Sequence, residues 1–128
     1  MTNRSYRLRG VRITASQQAA RDNLWAKYGV AFTETQIDLD SIFTKKQPIV
    51  MEIGYGMGEA TWQIAKANPD INYLGVEVHM PGAGKLMAKL AEHEVANVRL
   101  IERDVFETFH YMVKDSSLDG VHLFFPDP

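Results

Sequence analysis

Four short apolar runs, each followed by a longer stretch of mixed, helix-forming residues, predict alternating strands and helices from residue 49 onward. Ile49, Val50, Met51 and Ile53 predict a strand over about 49–53. A helix from about Gly58 to Asn68 follows, and Pro69 ends it. Tyr73, Leu74, Val76 and Val78 supply the β-formers of a second strand over 72–78. Pro81 suits the first turn of a second helix, which runs to about Glu94. A third strand is expected at Val98–Glu102, a short helix from about Val105 to Val113, and a fourth strand at Gly120–Phe125, halted by Pro126-Asp127-Pro128. Ahead of this repeat, Thr14-x-x-Gln17 reads as a capping box. Its helix is expected to run to about Tyr28 and stop at Gly29. Residues 30–47 read as irregular, with a short apolar turn at Ile42-Phe43.

Strands that alternate with helices imply a parallel sheet, so the expected fold class is α/β with helices flanking the sheet. The expected division is a basic, flexible arm over 1–13, a helix and connecting segment over 14–47, and an α/β domain over 48–128. A doubly wound domain usually has more than four strands. The last strand also ends in a loop at its carboxyl end, where such folds build their sites. The chain therefore reads as an incomplete, C-terminally truncated domain.

Composition narrows this picture further. Apolar residues make up 45% of 128, which suits one globular domain rather than a disordered chain. The absence of cysteine excludes disulfides and thiolate metal sites. Neither a signal peptide nor a membrane-length apolar run is apparent, so a cytoplasmic protein is the default expectation. Oligomeric state is left open, with a monomer as the default. Net charge is −2, but Arg4, Arg7, Arg9, Arg12 and Arg21 all precede the first acid, Asp22. Such an arm suits phosphate contacts, or is simply a solvated terminus.

The candidate chemistry begins at Glu52-Ile-Gly54-Tyr-Gly56-Met-Gly58, where a strand runs into three alternate glycines and then a helix. This order brings bare backbone amides to a nucleotide-like ligand. The spacing differs from the G-x-G-x-x-G typical of dinucleotide sites. A carboxylate two residues before the first glycine would also oppose a pyrophosphate. An acid stands at or just past the end of each predicted strand: Glu52, Glu77, Asp104 and Asp127. Gathered along one sheet edge, four carboxylates would repel one another and favour a cationic ligand or hydroxyl and amino donors. Glu77 lies nineteen positions after Gly58, the interval at which an acid takes ribose hydroxyls. S-adenosylmethionine fits this set, because it carries a sulfonium, an amino-acid head and an adenosine but no phosphate. Glu52 would then face its cationic end, and Asp104 would accept from the adenine amino group or cap the following helix. The prolines on both sides of Asp127 hold its carboxylate stiffly at the mouth of the sheet, either as a catalytic group or as a strand-ending turn.

Together these segments make the sequence resemble the bacterial tRNA (guanine-N7)-methyltransferase family. The resemblance rests on the Arg-rich arm leading to Thr14-x-x-Gln17, Glu52-Ile-Gly-Tyr-Gly-Met-Gly58, Gly75-Val-Glu77-Val-His79-Met-Pro81-Gly-Ala-Gly84 and Leu123-Phe-Phe-Pro-Asp127-Pro128. It runs from about residue 4 to the end. It implies a Rossmann-like S-adenosylmethionine methyltransferase fold. It also implies cofactor binding by Glu52, Gly54, Gly56, Gly58, Glu77, Asp104 and Asp127, with Asp127 also catalytic, and a tRNA substrate methylated on a variable-loop guanine. The family continues beyond this point with a Trp, a basic run and further strands.

Alternative readings are another S-adenosylmethionine-dependent RNA or DNA amino-methyltransferase, an inactive cofactor-binding fragment and, more distantly, a NAD-binding oxidoreductase. His79 is expected to start a helix or to stand near the cofactor. His93, His110 and His122 show no metal-ligand spacing. Trp62 and Met57 read as core or pocket wall, and Tyr6 as a surface residue or a stacking platform.

Overall fold

A computed structural model describes residues 14–54, 59–78 and 83–123, apart from the side chains of Gln17 and Glu59. A helix α1 (Ala15–Tyr28) and a 3₁₀ turn (Leu39–Ile42) precede the repeat β1 (Ile49–Ile53), α2 (Glu59–Ala67), β2 (Asn72–Glu77), α3 (Ala83–Glu92), β3 (Val98–Glu102), α4 (Val105–Tyr111) and β4 (Gly120–Leu123). The four strands form one parallel sheet in the order β3-β2-β1-β4. This is the α/β architecture expected from the alternating pattern.

The two sheet faces carry two separate cores. On one, Tyr73, Val98 and Leu100 pack with Tyr28, Ala65, Leu86, Met87 and Leu90 beneath α1, α2 and α3. On the other, Ile49, Met51, Leu74, Val76 and Ile101 pack with Leu39, Phe43 and Met112. With helices on one side and α4 and the 30–43 segment on the other, β2 is buried through five of its six residues. That double burial explains why its apolar residues run almost unbroken rather than strictly alternating.

The element ends have local causes. Thr14 accepts the first helical bond, from the Gln18 amide at 2.9 Å. The Gln17 half of the expected capping box lies outside the described residues. At the other end of α1, a Cβ on Gly29 would come within 2.1 Å of the Trp25 ring, so the turn needs glycine for space. The second helix stops before Glu94, because Glu94 takes a left-handed backbone (φ 55) and the Val95 amide closes on the Leu90 carbonyl at 2.8 Å. Likewise α4 stops short of Val113. Buried Met112 caps it, and its carbonyl accepts from the Ile37 amide at 3.0 Å.

Two ties were not legible in the residue pattern. The Val30 amide donates to the Leu100 carbonyl at 2.8 Å, and Gly29 bridges to Leu100, so the segment read as irregular covers the outer edge of β3. Asp119 clasps the first residue of β1 from both sides. Its Oδ2 accepts from the Ile49 amide at 2.8 Å, and its own amide donates to the Ile49 carbonyl at 2.7 Å. Among the described residues, no helix is long and apolar enough to cross a membrane.

Candidate functional site

The chain runs outward from β1 through β2 to β3, then crosses back so that β4 lies on the other side of β1. Strand order therefore reverses between β1 and β4. In open α/β sheets, the crevice outside the carboxyl ends at such a reversal is where ligands bind. Glu52 on β1 and His122 on β4 are register partners at this junction.

Side chains alternate across a strand, so register partners share a face. One face carries Val50 and Glu52 on β1, Tyr73, Gly75 and Glu77 on β2, Val98, Leu100 and Glu102 on β3, and His122 on β4. Its lower half is apolar and lies under the helices. Its upper half, toward the carboxyl ends, turns acidic. Gly75 stands opposite Glu52 and puts no side chain beside it.

Glu52 is fully buried, and neither of its carboxylate oxygens has a hydrogen-bond partner among the described residues. His122 Nδ1 lies 3.5 Å from Oε2, near enough for charge attraction but too far for a good hydrogen bond. The Thr61 hydroxyl from α2 is also buried without a bond of good geometry. Burial pushes the Glu52 carboxyl up from the ordinary range, while Thr61 and His122 draw it partly back. The effect reaches Tyr73, whose hydroxyl is pushed up first by its own burial and then by the charge on Glu52.

The other sequence-derived residues divide into three groups. Gly54 has φ 72, a left-handed backbone suited to glycine, and its amide donates to the Val76 carbonyl at 3.1 Å. Glu77 ends β2, beside Glu102 in register, and its Oε1 accepts from the Val78 amide at 3.2 Å. Asp104 is the N-cap of α4. Its Oδ1 accepts from the amides of Phe106 at 2.9 Å and Glu107 at 3.1 Å. Gly56, Gly58 and Asp127 lie outside the described residues, as do the arm arginines, Tyr6, Met57 and His79.

Among the described acids, Glu52 stands apart from the strand ends. Glu52 is not at the rim. It sits about 7 Å below the level of Glu77 by strand rise, in a fully buried position. Its raised pKa has burial as its first cause, and among the described residues no carboxylate figures among the causes.

Other polar features serve the framework. A cavity of about 220 Å³ at the amino ends of the strands is lined by Lys45, Lys66, Asn72, His93 and Asn97. Its amides are already committed. Asn97 Nδ2 donates to the carbonyls of Ala65, Asn68 and Ile71, and Asn72 Nδ2 donates to that of Lys45. Trp62 stacks on His93 with centroids 4.3 Å apart and packs against the core edge, which agrees with the core reading. Among the described residues, no cluster of His, Cys, Asp or Glu could hold a metal. Sequence reading missed His122, Thr61 and Tyr73 as neighbours of Glu52. No sequence signal gave His122, because its register opposite Glu52 depends on β4 returning beside β1.

The chain has relatives among known proteins. Residues 46–128 match the family model described as "Putative methyltransferase". A curated relative from Chromobacterium violaceum, named tRNA (guanine-N(7)-)-methyltransferase, is 48% identical over 98% of this chain and 55% of its own. Relatives of the same name from Methylobacillus flagellatus and Neisseria meningitidis are 46% and 43% identical over 98% of this chain, and are themselves covered to 53% and 52%. The chain thus spans about half the length of the curated relatives it matches. Among solved structures, PKMT2 from Rickettsia typhi in complex with AdoHcy aligns over 59% of this chain and 17% of its own, at a TM-score of 0.39 and 19% identity. Since the family model covers well over half of its length, the chain belongs to this methyltransferase family.

Proposed function

We propose that this chain is the cofactor-binding part of a tRNA (guanine-N7)-methyltransferase that uses S-adenosylmethionine. The observation that carries the reading is the fully buried carboxylate of Glu52 at the strand-order reversal, with both oxygens lacking hydrogen-bond partners among the described residues. A group so costly to bury is stabilised by a cation arriving at the same place. Gly54 takes a left-handed backbone just past β1, and Gly75 puts no side chain opposite Glu52. The chain's residues therefore fit S-adenosylmethionine. The names of relatives sharing up to 48% of their residues with this chain point the same way.

In this reading Glu52 receives the cationic end, and backbone around Gly54, Gly56 and Gly58 cradles the ligand. Glu77 accepts from the ribose hydroxyls. Asp104 uses Oδ1 for the helix cap and offers Oδ2 to the adenine amino group. Asp127 holds the guanine N1–H and N2–H₂ edge. The bound cofactor supplies the methyl group. Guanine N7 presents an in-plane lone pair and needs no prior loss of a proton, so the protein's main task is alignment. A cytoplasmic monomer acting on tRNA is part of the same proposal, with the arm arginines as phosphate contacts.

The test is to incubate the chain with unmodified tRNA and methyl-labelled S-adenosylmethionine, then digest and separate the nucleosides. N7-methylguanosine is the expected product. An N2- or N6-methylated nucleoside would instead support an amino-methyltransferase. Cofactor binding without any methylated product would favour a binding fragment.

A further inference from the structure

The groups that face Glu52 come from every element packed around it. Among the described residues, His122 from β4 is the basic group within 4 Å of its carboxylate. Thr61 from α2 is polar and uncharged. Tyr73 lies one step below on β2, while Glu77 and Glu102 stand above on the same face and add negative charge. The His122 side chain is 54% exposed and Glu52 is 0% exposed. The imidazole can therefore exchange protons with solvent beside a carboxylate that cannot.

We propose that His122 is a resident counter-cation for Glu52 that competes with the cationic end of the bound ligand, and so makes affinity for a positively charged ligand depend on the protonation of one ring. The inference rests on the cofactor reading above. A carboxylate faced by two cations attracts each, but the cations repel one another across a few ångströms of partly desolvated space. With the ring neutral, the ligand's cation has Glu52 to itself. That His122 eases the charge on Glu52 is consistent with this role. Imidazole changes charge in the physiological range, so the competition falls where it can be felt. A neutral ligand of the same adenosine shape is indifferent to it.

The ring titrations of the histidines, followed by NMR with and without saturating S-adenosylmethionine, test this directly. The His122 signal is assigned by its loss in His122→Gln, a change at an exposed side chain. Binding should move the His122 midpoint to lower pH by roughly one unit, which by linkage is about a tenfold weaker affinity for the protonated form. Methylthioadenosine, which lacks both the sulfonium and the amino-acid head, should leave the midpoint in place. At a pH where the NMR titration itself shows the His122 ring neutral, His122→Gln should bind S-adenosylmethionine within about twofold of the unaltered chain, because the neutral ring and the amide are then alike in charge. A midpoint that rises or stays fixed, or a large loss of affinity in His122→Gln at that pH, overturns the competition while leaving the cofactor reading intact. Failure of the folded chain to bind S-adenosylmethionine at all would overturn both.

Discussion

Glu52 occupies a buried position where a carboxylate is expensive for the fold. Its burial favours the protonated form, so its folded pKa lies above the unfolded one. The sign follows from linkage: its contribution to stability is fully present below the ordinary glutamate range and is lost as pH rises through the raised value. Glu52→Gln removes that titration. Chemical denaturation should show the variant more stable than the parent at pH 8, by about 1 kcal/mol, with the gap closing toward pH 5. The same substitution should weaken S-adenosylmethionine binding by more than about tenfold, the scale of one lost charge contact at a partly dry site. A variant that lost both stability and binding would mark Glu52 as a framework residue instead. Gly54 makes a second case at this scale. With φ at 72, Gly54→Ala should cost about 1 kcal/mol in the same unfolding measurement.

At the scale of elements, most strand positions could be read from apolar runs, because period and burial agree in a sheet covered on both faces. β1 and β3 fall where their residues predict, at Ile49–Ile53 and Val98–Glu102. The helix ends were less legible, since α3 and α4 end through contacts distant in sequence or through backbone conformation. Glu94 turns left-handed, and Ile37 takes the Met112 carbonyl. Of the site, the acids at strand ends could be named in advance. The depth of Glu52 and its pairing with His122 could not, because both depend on β4 returning beside β1. Asp104 shows how two roles can share one side chain. Asp104→Asn keeps a cap acceptor and should change unfolding stability by less than about 0.5 kcal/mol, whereas Asp104→Ala should cost about 1 kcal/mol. If Oδ2 also serves adenine, titration calorimetry should show weaker S-adenosylmethionine binding for Asp104→Ala than its stability loss explains.

Over the whole molecule, the two ends of the sheet differ in what they do with polar groups. At the amino ends, the amides of Asn72 and Asn97 are consumed by backbone carbonyls, and Asp119 clasps β1. At the carboxyl ends, Glu52 keeps both oxygens without hydrogen bonds among the described residues. This asymmetry supports the proposal that the ligand sits at the carboxyl ends and that the amino ends serve the framework. Lys66→Ala, at the amino-end cavity, should therefore leave S-adenosylmethionine affinity within about twofold, since charge effects across the sheet are screened over that distance. Isothermal titration of the 128-residue chain with S-adenosylmethionine at pH 8 tests the central claim most directly. One site per chain is expected, with binding weakened more than about tenfold in both Glu52→Gln and Glu77→Gln; no binding by the folded chain, or equal binding by those variants, would contradict a cofactor site built on these strand ends.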